Sequence, residues 1–267
     1  MLRNPFIKSL RDQARGLLIW SLSIAAYVAL LIAVYPSIAK SADELQGYMD
    51  NLPEAFRKAF LGAGGDFTSP AGYINTELFS WLGPIVFIAY GIGAANRALA
   101  GEEEDGTLGL LLAYPLTRRR LVLQRFAAMA ASIGALGTAF WLVLVLATRL
   151  ASMDVGAADL GQALLQFTLL GLALGSVTLA VGGATGRKAL SIAAGAGVGT
   201  GMYLLNTLGQ VNDTIEPFRV LSLFYYTGGT TPLGQGLAAG HVAVLLGASA
   251  ALLTATLVLF ERRDLRA

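Results

Sequence analysis

The chain has 267 residues, 55% of them hydrophobic and only 13% charged, with a formal net charge of +2 and a mean hydropathy of +0.62. An average soluble domain is about a quarter charged, so this composition excludes an ordinary soluble protein. There is no cysteine, which excludes disulfides, thiol catalysis and cysteine metal sites, and the lone histidine, His241, has no neighbours in sequence that would complete a metal site or proton relay.

From residue 4 to 18 the apolar residues Phe6, Ile7, Leu10, Ala14, Leu17 and Leu18 recur at helical spacing, with Lys8, Arg11, Asp12 and Arg15 on the other face. This predicts an amphipathic helix lying on the inner membrane surface before the chain turns in, or else an extension of the first span, the two readings differing only in where the bend lies. Charge-free stretches follow at 16–35, 78–96, 126–148, 160–186, 189–212 and 220–260. A membrane helix needs about 20 mostly apolar residues, so the expected architecture is all-α with six spans, near 16–36, 78–98, 122–148, 160–183, 189–209 and 236–260. The first apolar run is longer than the core of a signal peptide and is read as a span. No internal repeat or low-complexity linker divides the chain, so 1–267 reads as a single membrane domain.

Between the first two spans, residues 36–77 form the longest connecting segment on their side. Pro53 and Glu54 suit a helix start and Gly62 a stop, which predicts a short helix over 51–62. Ser69, Pro70, Ala71 and Gly72 read as a turn leading to the second span. Farther on, Thr227 to Pro232 is turn-rich, and Trp81, Tyr225 and Tyr226 read as interfacial aromatics. The fourth and fifth spans hold many of the 32 glycines, including Gly171, Gly175, Gly182 and Gly183. Gly195/Gly199 and Gly197/Gly201 are GxxxG pairs, read as helix-packing positions within the chain or between two copies.

Sorted by loop, the basic residues Arg3, Lys8, Arg11, Arg15, Arg97, Arg118, Arg119, Arg120, Arg125, Arg187, Lys188, Arg262, Arg263 and Arg266 fall on one side of a six-span topology. Lys40, Arg57, Lys58, Arg149 and Arg219 fall on the other, a ratio of 14 to 5. Positive charge marks the cytoplasmic side, so both termini are expected inside. With the cations accounted for in this way, no nucleic-acid partner is expected.

The segment 101–120 carries four acids, Glu102 to Asp105, then Gly106, Thr107, a leucine-rich turn, Pro115 and the triple Arg118–Arg119–Arg120. Acids suit the positive dipole end of a helix and bases the other, so these charges are expected to bracket a short surface helix with Leu108, Leu111 and Leu112 as its apolar face. Pro115 would end it, and the arginines would anchor the next span at headgroups.

The pattern Glu-Glu-x-x-Gly-Thr-Leu-x-x-Leu-Leu-x-x-Pro-x-x-Arg at 102–118 resembles the cytoplasmic loop of ABC-2 type transporter permeases. Leu52-Pro53-Glu54, Ser69 to Tyr73 and the ending from Phe260 to Leu265 are similar to segments of one bacterial branch. The resemblance implies that 102–118 is a coupling helix seated in a cytoplasmic ATPase subunit, with Glu102, Glu103, Gly106, Thr107, Leu108, Leu111, Pro115 and Arg118 as contact or geometry residues. Thr185, Arg187 and Lys188 would form a second contact, and residues 4–18 would correspond to the family's connecting helix. It further implies two ATPase copies carrying ATP and Mg²⁺, a second permease copy or a paralogue, and a bacterial or archaeal cytoplasmic membrane.

No catalytic residue, metal site or cofactor is expected in the chain itself. The nearest text to a P-loop, Gly182 to Ala189, lacks both the spacing and the hydroxyl residue. Function is therefore read as the permease of an ATP-driven exporter moving a hydrophobic or amphipathic substrate through a lipid-embedded path. The alternatives are a subunit that transmits force to an outer partner without translocation, as in branches that assist metalloenzyme maturation, and a secondary transporter. The second lacks the intramembrane ionisable groups that ion coupling requires. A membrane-embedded enzyme would need acids or nucleophiles clustered at one depth, and none is evident.

Overall fold

A computed structural model describes residues 5–41, 47, 68–107, 117–228, 232–234 and 236–263. Among them every regular element is helical: α1 (Pro5–Lys40), α2 (Pro70–Ile74), a π-helical turn (Asn75–Phe79), α3 (Leu82–Ala98), α4 (Ala100–Glu104), α5 (Arg118–Leu150), α6 (Ala157–Thr185), α7 (Lys188–Val211), two 3₁₀ turns (Glu216–Leu221 and Leu223–Thr227) and α8 (Ala239–Arg262). The helix expected over 51–62 and the segment 108–116 lie outside the described residues.

Five helical stretches are long and apolar enough to cross a membrane: α1, the stretch from α2 through α3 (Pro70–Ala98), α5, α6 and α8. This is an all-α, multi-pass membrane protein. α7 has the same 24-residue length as α8, but its many glycines and polar Asn206 and Gln210 dilute its hydropathy. It therefore falls outside that set, although it occupies the position read from the sequence as the fifth span.

α6 forms the centre of the bundle and packs on α3, α5, α7 and α8, while α1 lies along α5. The reason is compositional. α6 is apolar around its whole circumference and rich in small residues, so it can be buried on every side, and 78% of its apolar window is buried. The corresponding windows of α1 and α8 are 11% and 17% buried, leaving Leu22, Leu30, Leu246 and Val258 to the lipid.

The closest approach is between α3 and α6. A methyl group on Gly91 would collide with the backbone carbonyl of Gly171, and one on Gly171 would stand 2.6 Å from the Phe87 carbonyl oxygen. Gly175 meets Gly91 at 3.0 Å in the same way, so three glycines bring two backbones into contact. On α7, Gly195 and Gly199 face inward, against Thr178 and Ile92 and against Leu174, whereas Gly197 and Gly201 face open space.

Two sequence expectations change here. The amphipathic N-terminal segment is not separated from the first span, because α1 runs unbroken for 36 residues, about 54 Å at 1.5 Å per residue, well beyond a hydrocarbon core. Its buried stripe is Pro5, Ser9 and Gln13, while Arg11, Asp12 and Arg15 of the charged face and Ile7 and Leu18 of the apolar face are all exposed. Lastly, Ser69 to Gly72 is a helix start rather than a turn. The Ser69 hydroxyl accepts from the Gly72 N–H at 3.1 Å and Pro70 occupies the first position, a preferred pairing of cap and proline.

Candidate functional site

The charges gather at one end of the bundle, around α4. α3 ends at Ala98, Leu99 departs from helical geometry, and the five-residue α4 closes at Asp105. Gly106 then adopts φ +70°, a left-handed conformation open to glycine, and the Thr107 hydroxyl donates back to the Glu102 carbonyl at 3.2 Å. Successive helical residues project about 100° apart, so the four consecutive acids fan out toward different neighbours.

Glu102 points into the protein. It accepts from Lys8 Nζ of α1 at 2.5 Å through one oxygen and from Arg125 of α5 through the other. Lys8 is also 3.5 Å from Asp12. Arg125 is 1% exposed, so Glu102 supplies the counter-charge that burial of a guanidinium demands. Glu103 pairs with Arg263, just beyond the end of α8. That pair packs on Gly186, the left-handed residue ending α6, where any side chain would collide with both partners. Glu104 accepts from the Lys188 backbone N–H at 2.7 Å, and Asp105 from the Lys188 ammonium at 2.6 Å, so both hold the start of α7. One turn of helix thus ties together α1, α5, the α6–α7 junction, α7 and the end of α8.

The segment between the acids and the arginines, expected to form a short surface helix, lies for the most part outside the described residues, and α5 starts at Arg118 with Thr117 as its cap. Basic residues in a first turn oppose the helix dipole, and here Arg118 and Arg119 are satisfied from outside. Arg118 donates to the carbonyls of Phe260 at 3.1 Å and Arg263 at 2.6 Å, with its guanidinium 5.9 Å from the Phe260 ring centre. It therefore caps the C-terminal end of α8. Arg119 forms two hydrogen bonds to Glu261, at 2.5 and 2.9 Å.

Of the residues singled out from sequence, Glu102, Glu103, Arg118 and Lys188 meet in this cluster and Gly106 shapes it, while Leu108, Leu111 and Pro115 lie outside the described residues. Thr185 is the last residue of α6, its hydroxyl bonded to the Val181 carbonyl at 2.8 Å, and Arg187 is exposed. Sequence reasoning missed Lys8, Arg125 and Arg263 as partners of the acids, having counted them only as topology markers. The available signal was four adjacent acids on a strongly basic side, which require local counter-charges.

A second feature opens on the side of the bundle, away from the charged cluster. An apolar groove of about 370 Å³ runs between α3 and α7, lined by Trp81, Ile85, Ile88, Ile92, Tyr203 and Phe224 among others. At the far end, His241 lies against the rings of Tyr225 and Tyr226, with centroid separations of 5.9 and 5.3 Å. No group of His, Asp or Glu side chains among the described residues is arranged to hold a metal ion.

A lipid-exposed helical bundle with one ion-paired end and an apolar groove defines the class, a multi-pass membrane protein built to join helices rigidly at one face. The profile of the ABC-2 family transporter proteins matches residues 4–265, and the chain belongs to that family. It is also similar to a protein of Pseudomonas aeruginosa named as the probable ABC transporter permease protein NosY, with 34% identity over 160 residues. That match covers 57% of this chain and 54% of the relative, about half the length of each.

Proposed function

We propose that the chain is the membrane subunit of an ATP-driven exporter, that its charged end faces the cytoplasm, and that a separate ATPase in two copies supplies ATP and Mg²⁺ chemistry. The observation that carries this reading is the clamp around α4. The segment leading into 108–116 is fastened by four acids to α1, α5, the α6–α7 junction and the end of α8, so a push delivered there moves several helices as one body. The 14 to 5 sorting of basic residues between the two sides supports the orientation.

The apolar groove between α3 and α7 supports a hydrophobic or amphipathic substrate, since it offers apolar and aromatic contact and no charge to select an ion. The outward face of α7, with Gly197 and Gly201 open beside Leu204 and Leu208, supports pairing with a second permease copy or a paralogue.

The test is co-purification with a cytoplasmic ABC ATPase subunit co-expressed with the chain. Leu111→Asp puts a charge on the apolar face expected of the leucine-rich segment, and Gly106→Pro forces φ near −65° where the chain needs +70°. Both variants should insert in normal amount and lose the ATPase on purification, while Arg149→Gln, at the other end of α5, retains it. Retention of the ATPase and of normal hydrolysis by both variants would overturn the docking role of this segment. Because the chain has no cysteine, single cysteines report orientation directly: one at Ser41 should label from outside and one at Thr117 should not.

A further inference from the structure

The clamp engages every acid in its neighbourhood but not every cation. Beside it opens a polar cavity of about 370 Å³, between the first turns of α1, the last turn of α3 and the start of α5. Four cations, Lys8, Arg97, Arg125 and Lys188, and three acids, Asp12, Glu102 and Asp105, line it, leaving one positive charge in excess. Lys8 is shared by Asp12 and Glu102, Arg125 pairs with Glu102, and Lys188 pairs with Asp105. Arg97 alone among these cations has neither ion pair nor hydrogen bond within the described residues.

The surroundings of Arg97 keep its guanidinium accessible. Its Nη2 lies 3.8 and 3.9 Å from where a Cβ would stand on Gly16 of α1 and Gly93 of α3, so two glycines leave the group its place between the helices. Two further donors line the same cavity. Arg125 keeps its Nε buried with no acceptor among the described residues. Asn96 turns its carboxamide oxygen to the Ser191 hydroxyl at 2.6 Å, which directs its NH₂ elsewhere.

We infer that this cavity binds the phosphate of an anionic phospholipid headgroup, with Arg97 as the principal donor. A guanidinium matches two phosphate oxygens at once, and one monoanionic phosphodiester balances the one surplus charge. Arg97 sits in the last turn of a membrane-crossing helix, at the depth of headgroups, and basic pockets between such helices are the usual seats of anionic lipid. α1 supplies the apolar flank that acyl chains require, with Ile7 and Leu18 55% and 63% exposed. The lipid occupies the space between α1 and the clamp and so acts as a structural ligand of the charged end. This inference does not depend on the direction or the cargo of transport.

The ordinary alternative is that Arg97 only complements the C-terminal dipole of α3, which requires no ligand. Thermal unfolding of the purified full chain, stripped of lipid in a neutral detergent, separates the two. Phosphatidylglycerol should raise the Tm of the parent and of Arg149→Gln by about 4 °C at saturation. Phosphatidylcholine, with no net charge, should raise it by less. Arg97→Gln should lose the difference between the two lipids, Arg97→Lys should keep part of it, and native mass spectrometry should find one anionic lipid on the parent and none on Arg97→Gln. Equal responses to the two lipids in the parent, or the same response in Arg97→Gln, would overturn the inference. Inorganic phosphate protecting the parent while phosphatidylglycerol does nothing would assign the cavity to a soluble phosphate and overturn the lipid source.

Discussion

At the crossing of α3 and α6 two helices meet backbone to backbone through Gly91, Gly171 and Gly175, and no charged side chain joins these three. A few turns away, beyond the end of α3, the neighbouring elements are joined by side chains reaching across space, from Glu102 to Lys8 and Arg125 and from Glu103 to Arg263. In lipid there is no hydrophobic force between apolar helices, so close packing of small residues must serve at mid-membrane. Near the headgroups ionised groups are tolerated, and charge pairs fix geometry there. The crossing fails when a methyl is added, the charged end when a charge is left alone.

The largest effect is expected at the charged end. Glu102→Ala leaves Arg125 buried without a counter-charge and should cost about 3–5 kcal/mol, read as lost thermal stability and reduced membrane yield. Adding Arg125→Met to that variant should recover much of the loss, because the unpaired charge is removed with its partner. No recovery in the double variant would mean that Glu102 acts through something other than this pair.

Next comes the crossing. Gly91→Ala adds one methyl against the Gly171 carbonyl and should cost about 1–3 kcal/mol, since backbone cannot move aside as a flexible side chain can. The same substitution at Gly197, which faces open space, should be neutral or stabilising by up to about 1 kcal/mol through helix propensity. Equal melting temperatures for the two variants would break the distinction between the two glycine environments. Gly186→Ala falls between them: it strains a residue at φ +64° and intrudes on the Glu103–Arg263 pair, so its effect should shrink in an Arg263→Ala background.

The smallest effect is expected at Arg119→Gln. Its pair with Glu261 lies in water, where screening and side-chain entropy offset the attraction, and no change in Tm should be measurable. A clear loss would show that the pair is shielded in the assembled complex.

Composition and apolar run length alone determined that this chain is an all-helical membrane protein and where its long helices lie. In a bilayer the backbone is satisfied in helices or in closed barrels, and uninterrupted apolar runs of about 20 residues fit the helix and not the short alternating strands of a barrel. The ordered motif at 102–118 was enough to suggest the family, and the fan of acids was visible as a local oddity. The sequence could not say whom those acids meet, because Lys8, Arg125 and Arg263 are 94, 23 and 160 residues away and only the packing of helices brings them to α4. Nor could it separate Gly91 and Gly171, which hold the core, from Gly197 and Gly201, which face outward, because a glycine carries no mark of what lies opposite. The buried stripe of α1 at Pro5, Ser9 and Gln13 was hidden for the same reason: periodicity finds a charged and an apolar face, and only tertiary structure shows that the contact runs between them.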